Sequence, residues 1–505
     1  MSNPKTIRSA PKPQPEPVSA MPRGRWARKC EMDAYLDRNF PIPTQVVSNE
    51  EFYPLPQTPE QRAVEHHLAE MAEGSAKRLG MSRRQFLGSA CGVAAAFVAM
   101  NTVFGRFFGV EAAELLEPAA VAASKTKYFI FDVQTHHVAA NANMPLRSML
   151  LDFRRFARIW NPELGKSEPR MEDLYLENYI KEVFLDSETD VAVISGITSL
   201  TDETNILPPN EMVKTRYLVN QLTGSQRVVS HGLFSPDLGT RNLEAMHRQA
   251  EQLKIEAWKG YTGQPLGPSK EGWWLDDEKV AYPALEYSRK MKIKNICVHK
   301  GLPLFGFNVE HCSPKDVVKV SRDFPDLNFL VYHSGFKSLA EALPAARDGF
   351  KTTSYVPWVS DLCEWRRKNP HMTNAYMELG STFGQMVITH PLLCAHVLGM
   401  IIQAFGADHV LWGTDSIWWG SPQWQIEALR RFEMPEQLMK QFGYAPLTTE
   451  VKRQIFGLNA ARIYDVDPAA KRKLIPGDYI DRLRQLYRQS GVALPSNTQY
   501  GWVPA

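Results

Sequence analysis

The sequence predicts an α/β protein, a (β/α)8 TIM barrel with a long N-terminal extension and C-terminal helices. Three observations predict it. From Lys125 onward, eight short β-prone apolar runs alternate with segments long enough for helices. Nothing in their order asks for the reversal of an open, doubly wound sheet. Polar residues able to do chemistry lie where several of these runs end, which is where a barrel of this kind keeps its working residues.

The expected strands are Lys127 to Val133, Asp190 to Ser195, Gln226 to Phe234, Lys254 to Gly260, Lys294 to His299, Asn328 to His333, Ala375 to Leu379 and His409 to Thr414. Thr240 to Leu253, Tyr282 to Met291 and Pro314 to Asp323 are among the expected helices between them. The barrel is placed at residues 124–470. Residues 471–505 follow as a C-terminal helix (Tyr479 to Tyr487) and tail.

The chain has 505 residues, 44% hydrophobic and 22% charged, enough to bury a large core. Its 58 basic and 55 acidic side chains leave a formal charge of +3, too weak a field to gather nucleic acid. The six cysteines are scattered without a C-x-x-C pair, so neither a zinc ribbon nor a redox dithiol is indicated.

Residues 1–80 read as an extended or disordered region, rich in proline and charge up to about Gln57. Near its end, Thr58, Pro59 and Glu60 make a helix start, with Val64, Leu68, Met71 and Leu79 on an amphipathic face. Residues 81–123 contain MSRRQFLG, an Ala-rich apolar stretch and a small-residue site at Ala120 to Ala122. Ser82, Arg83, Arg84, Phe86 and Leu87 resemble a twin-arginine export signal in register, although such signals usually lie nearer the start of a chain. The resemblance implies a folded cargo, the Tat export machinery as partner, cleavage after Ala122 and a periplasmic location. The competing reading is a buried Ala-rich helix in a cytoplasmic protein. The stretch is too short and too rich in small residues for stable membrane insertion.

In FDVQTHHV, residues Asp132, Gln134 and His136 share one face of a strand as it runs out. Lys259 closes the fourth strand, His299 the fifth, His333 the sixth and Asp415 the eighth. Each has a bland reading, as a cap or a solvated strand end. Together, His136, His299 and Asp415 supply two nitrogens and one oxygen, the donor count of a catalytic zinc site with an open position. Cys297, two residues before His299, is read as packing.

DVQTHH, VHKG, YHSG, WGTDSIWWGSP and IFGLNAARIYDV resemble, in order, motifs of the amidohydrolase superfamily, in the amidohydrolase-related branch that includes aminocarboxymuconate semialdehyde decarboxylase. The resemblance spans about Tyr128 to Asp465. It implies one divalent metal, held by the strand-one pair, His299 and Asp415, with His333 as an acid/base or carbonyl-polarising group. The departure is Gln134, which stands where the family has the first His of His-x-His. A neutral amide oxygen suits manganese or magnesium better than zinc. Three readings follow: a Zn2+ or Mn2+ site of His136, His299, Asp415 and water; a site that recruits Gln134 or His137; or a site without metal.

With Asp415 as proton acceptor and His333 stabilising the oxyanion, the expected reaction is hydrolysis of a small ester, lactone or amide, cyclic and aromatic ones included. Non-oxidative decarboxylation of an aromatic or unsaturated acid uses the same groups. A metal-free binding protein on the same barrel is the third reading. Trp418, Trp419, Lys259 and His137 are the expected substrate contacts, with Tyr261, Trp273 and Trp274 as further aromatics near the mouth. Arg154 and Arg155 are candidates to receive a carboxylate. Related barrels often pair through C-terminal additions, which points to a homodimer.

Overall fold

The eight apolar runs form strands that lie side by side in chain order: β1 (Phe131–Thr135), β2 (Val191–Ile194), β3 (Val228–Leu233), β4 (Ala257–Tyr261), β5 (Asn295–His299), β6 (Asn328–Tyr332), β7 (Ala375–Glu378) and β8 (Val410–Leu411). The computed structural model describes residues 26–29, 32, 40–48, 54–140, 174–268, 270–304, 306–490 and 502–504. All neighbouring strands pair in parallel. Closure of β8 onto β1 rests on three backbone bonds: Val133 N to Trp412 O at 2.9 Å, Asp415 N to Gln134 O at 2.9 Å and His136 N to Ser416 O at 2.6 Å.

Because helices cover the outside and side chains fill the inside, both faces of each strand are buried, which is why the strands read as continuous rather than alternating apolar runs. Phe131, Val133, Val193, Cys297, Leu330 and Tyr332 fill the barrel interior with Ala460 and Ala461. All eight strands are shorter than their sequence runs. The first begins at Phe131 rather than Lys127, and the last covers two residues because its chain turns away to build the site. Cys297 is fully buried, and burial pushes its thiol up to about 11, in keeping with a packing role.

Within residues 1–80 the described stretches are ordered at three places, the last of them the helix expected from Thr58. Ile42, Val46 and Val47 are buried in the main core. Trp26–Arg28 pairs antiparallel with Trp502–Pro504, and Ser48 bridges to Trp502 as well. Helix α1 (Pro59–Leu79) forms with Thr58 in a full capping box with Gln61 and Gly80 closing it at φ +66°.

The twin-arginine stretch is folded too. Ser82 caps α2 (Arg83–Leu87), whose Phe86 and Leu87 are buried. In α3 (Ala90–Phe104) the residues Ala94, Ala95, Ala96, Phe97, Ala99 and Met100 are buried; α4 (Pro118–Ser124) leads into the barrel. Phe97 meets Phe108 at 4.7 Å between ring centroids, and Phe108 meets Phe432 at 5.4 Å. A bonding ribbon joins the two parts: Gly109 N donates to Arg431 O at 2.7 Å and Glu433 N to Phe107 O at 2.8 Å. No helix among the described residues is long and apolar enough to cross a membrane.

Candidate functional site at the carboxyl face of the barrel

The site is built where β1, β5, β6, β7 and β8 run out. Asp132 acts as the stitch between the first and last strands. Its Oδ1 accepts from Gln134 N and Thr414 N, each at 3.1 Å, and its Oδ2 accepts from the Thr414 hydroxyl. Burial pushes its carboxyl up to about 7. That stitch brings Gln134 and His136 against Asp415.

Three side chains meet there. Asp415 Oδ1 lies 3.0 Å from His136 Nε2 and 2.8 Å from Gln134 Nε2, and the last two atoms are 3.5 Å apart. Asp415 Oδ2 accepts from the hydroxyl of Ser381, on helix α6 (Gly380–Val387) after β7, and Trp419 Nε1 donates to the same Ser381 oxygen at 2.7 Å. Burial works to raise the Asp415 carboxyl, but bonding and charge from His136, with smaller help from His333 and Ser381, outweigh it and hold it well below the usual carboxylate range. His136 Nδ1 lies 2.8 Å from Ser195 O, an atom that only accepts, so this nitrogen carries the proton. When the ring is charged, Nε2 donates to Asp415 and holds its carboxyl down; in the neutral ring, Nε2 is a lone pair aimed at the carboxylate.

His299 repeats the pattern. Its Nε2 donates to Leu302 O at 2.9 Å, and its Nδ1 stands 3.2 Å from His333 Nε2. His299 and His333 thus form a second pair, and it is Gln134 rather than His299 that completes the group around His136 and Asp415. Among the described residues, no three His, Cys, Asp or Glu side chains come together closely enough to hold a metal. Burial, helped by the charge of Lys259, keeps both imidazoles neutral: His299 is held well below its ordinary range, and His333 is pushed down to about 3.

Two site residues stand in strained backbone. Asp415 has φ +60° and His333 φ +61°, left-handed conformations costing a non-glycine residue about 1–2 kcal/mol each. His333 is held there from both sides. Its N–H donates to Glu378 Oε2 at 2.9 Å and its carbonyl accepts from Thr382 Oγ1 at 2.9 Å.

The remaining predicted contacts divide. Trp418 packs its ring 5.9 Å from that of His136, and Trp419 reaches Ser381, so both wall the site. Lys259 is no solvated strand end. It is fully buried, with Nζ 3.4 Å from the centre of the Tyr332 ring. His137 faces elsewhere, with Nε2 2.8 Å from Thr215 Oγ1 on α5 (Pro209–Thr223) and burial pushing the ring down to about 4. Trp273 packs against Phe234 and Trp274 against His311, both as loop packing. Arg154 and Arg155 lie outside the described residues.

Sequence reasoning missed Glu378 and Ser381. Glu378 is the last residue of β7, fully buried, and burial pushes its carboxyl up to about 8. The available signal was its place: an acidic residue ending an otherwise apolar run, AYME, at the carboxyl face.

No curated protein sequence matches the chain significantly. Among solved structures it is similar to an uncharacterised TIM-barrel protein from Bordetella bronchiseptica, at 14% identity over 68% of this chain and 99% of that one, with a TM-score of 0.42. It is similar to 5-carboxyvanillate decarboxylase from Sphingomonas paucimobilis at 15% identity, covering 68% and 100% with a TM-score of 0.39. The values for 4-oxalomesaconate hydratase from Rhodopseudomonas palustris are 16%, 68%, 98% and 0.39. Residues 242–466, which run from the helix after β3 through β4 to β8 to the helices that close the barrel, match the family described as Amidohydrolase.

Proposed function

We propose that the protein is a metal-dependent enzyme of the amidohydrolase superfamily that hydrolyses a small ester, lactone or amide at the carboxyl face of its barrel. The observation that carries this reading is His136, which spends its Nδ1–H on the Ser195 carbonyl and turns Nε2 toward Asp415, the arrangement that fixes metal-ligating imidazoles. A lone pair on His136 facing an ionised Asp415 at 3.0 Å repels unless a proton or a cation lies between them. The donors therefore fit a divalent ion, with His136 Nε2, Asp415 Oδ1 and the Gln134 amide as the residues that would hold it. An ion there would supply Lewis acidity toward a substrate carbonyl and toward water. The amide oxygen favours Mn2+ over Zn2+.

The chain's own groups do the rest. Asp415 is ionised and takes the proton of the attacking water at Oδ2, whose partner Ser381 is a hydroxyl able to turn from donor to acceptor. His333 is neutral at working pH, so its Nε2–H, which faces His299 Nδ1 in the resting site, would turn to the developing oxyanion as a neutral donor and not as an imidazolium acid. Trp418 and Trp419 exclude water behind Asp415 and favour a flat or apolar substrate.

One observation favours a second reaction on the same residues. Glu378 keeps its proton at neutral pH beside His333, and a proton stored inside the barrel is what non-oxidative decarboxylation needs to reprotonate carbon. Elemental analysis of the full chain, followed by screens for ester, lactone and amide cleavage and for release of carbon dioxide from aromatic acids, tests both. One bound divalent ion per chain with hydrolysis confirms the first reading. Carbon dioxide without hydrolysis replaces it with the second, and no bound ion with neither activity refutes both.

A further inference from the structure

We propose that Glu378 is a positioning residue for the metal site: with His333, it turns the Gln134 side-chain amide so that Oε1 faces His136 and Asp415 whenever a divalent ion is bound. The inference rests on the metal-dependent reading above and adds a residue that acts on it from β7.

Without an ion, the Gln134 amide is half satisfied. Its Nε2 donates to Asp415 Oδ1 at 2.8 Å, while its buried Oε1 has no hydrogen-bond partner. The other end of the amide looks into a cluster with the same deficiency. His333 Nδ1 and Glu378 Oε1 are also buried without a partner. Three of these polar groups converge on the bare Cα of Gly380, where a Cβ would lie 2.7 Å from Gln134 Oε1, 2.7 Å from His333 Nδ1 and 2.9 Å from Glu378 Oε2. Gly413 completes the cradle, since a Cβ there would lie 1.7 Å from Glu378 Oε1. Two glycines, one of them at φ +41°, thus keep this space open for an amide and a carboxyl.

As it stands, Gln134 Oε1 lies on the side of His333 Nδ1 and the Glu378 carboxyl without a hydrogen bond to either. A half turn of the amide exchanges two atoms of nearly equal size and repairs this. The NH2 group then faces the side on which His333 Nδ1 and Glu378 Oε1 lack partners, where a ring lone pair and the carbonyl oxygen of the carboxyl can accept. On the opposite side, Oε1 takes the place of Nε2. Gln134 Oε1, His136 Nε2 and Asp415 Oδ1 then present three lone pairs with separations of 2.8, 3.0 and 3.5 Å. Those are the edges of a coordination shell of radius about 2.1 Å, for which neighbouring donors stand ~3.0 to ~3.4 Å apart in octahedral and tetrahedral arrangements. Such a face is repulsive when empty and complete when a cation fills it. Amide orientation and ion occupancy are therefore one equilibrium, and Glu378 favours the occupied side by accepting the NH2 group.

The test is calorimetric titration of the chelator-stripped full chain with MnCl2. Glu378→Met removes the acceptors at nearly constant volume and is expected to weaken Mn2+ binding ~10-fold or more, the usual effect of removing a group that orients a ligand. Glu378→Gln, which keeps an accepting oxygen, is expected to stay within ~3-fold of wild type. In a Gln134→Glu background, where the two ligand oxygens are equivalent and need no turning, Glu378→Met is expected to have no weakening effect. Equal loss in both backgrounds means a merely structural role and overturns the proposal, as does wild-type affinity in Glu378→Met. Failure of the wild-type chain to bind Mn2+ or Zn2+ at all overturns the metal-dependent reading itself. If Glu378→Met does not fold, the wild-type protein still decides. The Gln134 side-chain NH2 resonance, identified by its loss in Gln134→Glu, must move when diamagnetic Mg2+ or Zn2+ is added, and an unmoved signal in the loaded protein overturns the proposal.

Discussion

Two regions bury polar groups at similar depth and treat them differently. Where the N-terminal helices meet the barrel, buried charges are matched across the junction. Arg431 bonds Glu114 at 2.7 Å, with the Glu114 side chain 1% exposed, and Arg430 on the same helix, α7 (Gln423–Arg431), bonds Glu427 at 2.6 Å and Glu188 at 2.8 Å. At the barrel mouth, Gln134 Oε1, His333 Nδ1 and Glu378 Oε1 are equally dry and have no partner. An unsatisfied buried polar atom costs about 1–3 kcal/mol, and the mouth gathers three of them on neighbouring side chains, whereas at the junction Arg431 Nε, which also lacks a hydrogen bond, still lies 3.7 Å from the Glu427 carboxylate. The junction is built to stay closed, and the mouth is built to receive something.

The largest effect expected from this contrast is at the mouth. Asp415→Asn keeps the shape but removes the charge and the proton acceptor. Turnover should fall on the order of 10^3-fold while the thermal midpoint stays near wild type. Near-normal turnover would mean that the mouth's chemistry lies elsewhere.

Next in size is the junction. Glu114→Ala leaves the Arg431 guanidinium buried without its main partner, which should cost about 3 kcal/mol in denaturant unfolding, while Glu114→Met with Arg431→Met should cost less than the single change. The same packing bears on export. Cleavage after Ala122 would remove Phe97, Phe108 and Glu114 from the surface formed by Phe432 and Arg431. We therefore propose that the mature chain keeps this segment. N-terminal sequencing of protein recovered from cells decides it, since a chain beginning at Ala123 would support the leader reading instead.

These two regions differed in how far the sequence revealed them. The barrel was legible because each strand is a local apolar run and its chemical residues sit at the run's end, so His136, His299, His333 and Asp415 could be named from position alone. Glu378 and Ser381 were not, because what distinguishes them is tertiary: an oxygen on His333 N and a hydroxyl on Asp415. The junction was ambiguous for a related reason. An Ala-rich helix after an Arg pair has the same local pattern whether it is a leader or a buried helix, and the partners that bury it, Phe432 and Arg431, come more than 300 positions later.

A smaller effect concerns pH. Glu378 has its folded-state pKa raised from 4.5 to about 8 by burial. Its native form therefore binds a proton that the unfolded chain has already released, so the stability associated with this proton is full below about pH 4.5 and is lost as pH rises through about 8. Glu378→Gln has no such proton. The variant should gain on wild type by a few kcal/mol between pH 5 and pH 8.5 in denaturant melts, and parallel curves would mean that the carboxyl is ionised in the folded protein.

The finest comparison sets two hydroxyls side by side. Thr58 caps α1 by accepting from Gln61 N at 3.2 Å, in the N-terminal region that packs onto the junction. Ser381 donates to Asp415 Oδ2 and accepts from Trp419 Nε1 at the mouth. Thr58→Ala and Ser381→Ala each delete one oxygen and should each cost about 1 kcal/mol of stability. Only the second should change the chemistry. Losing the Ser381 hydroxyl leaves Asp415 Oδ2 without its rotatable partner, so kcat should fall at least ~10-fold with KM nearly constant, whereas Thr58→Ala should leave both unchanged. If the two variants behave alike in turnover, Ser381 belongs with the satisfied structural groups of the junction, and the proton taken up by Asp415 must leave by another path.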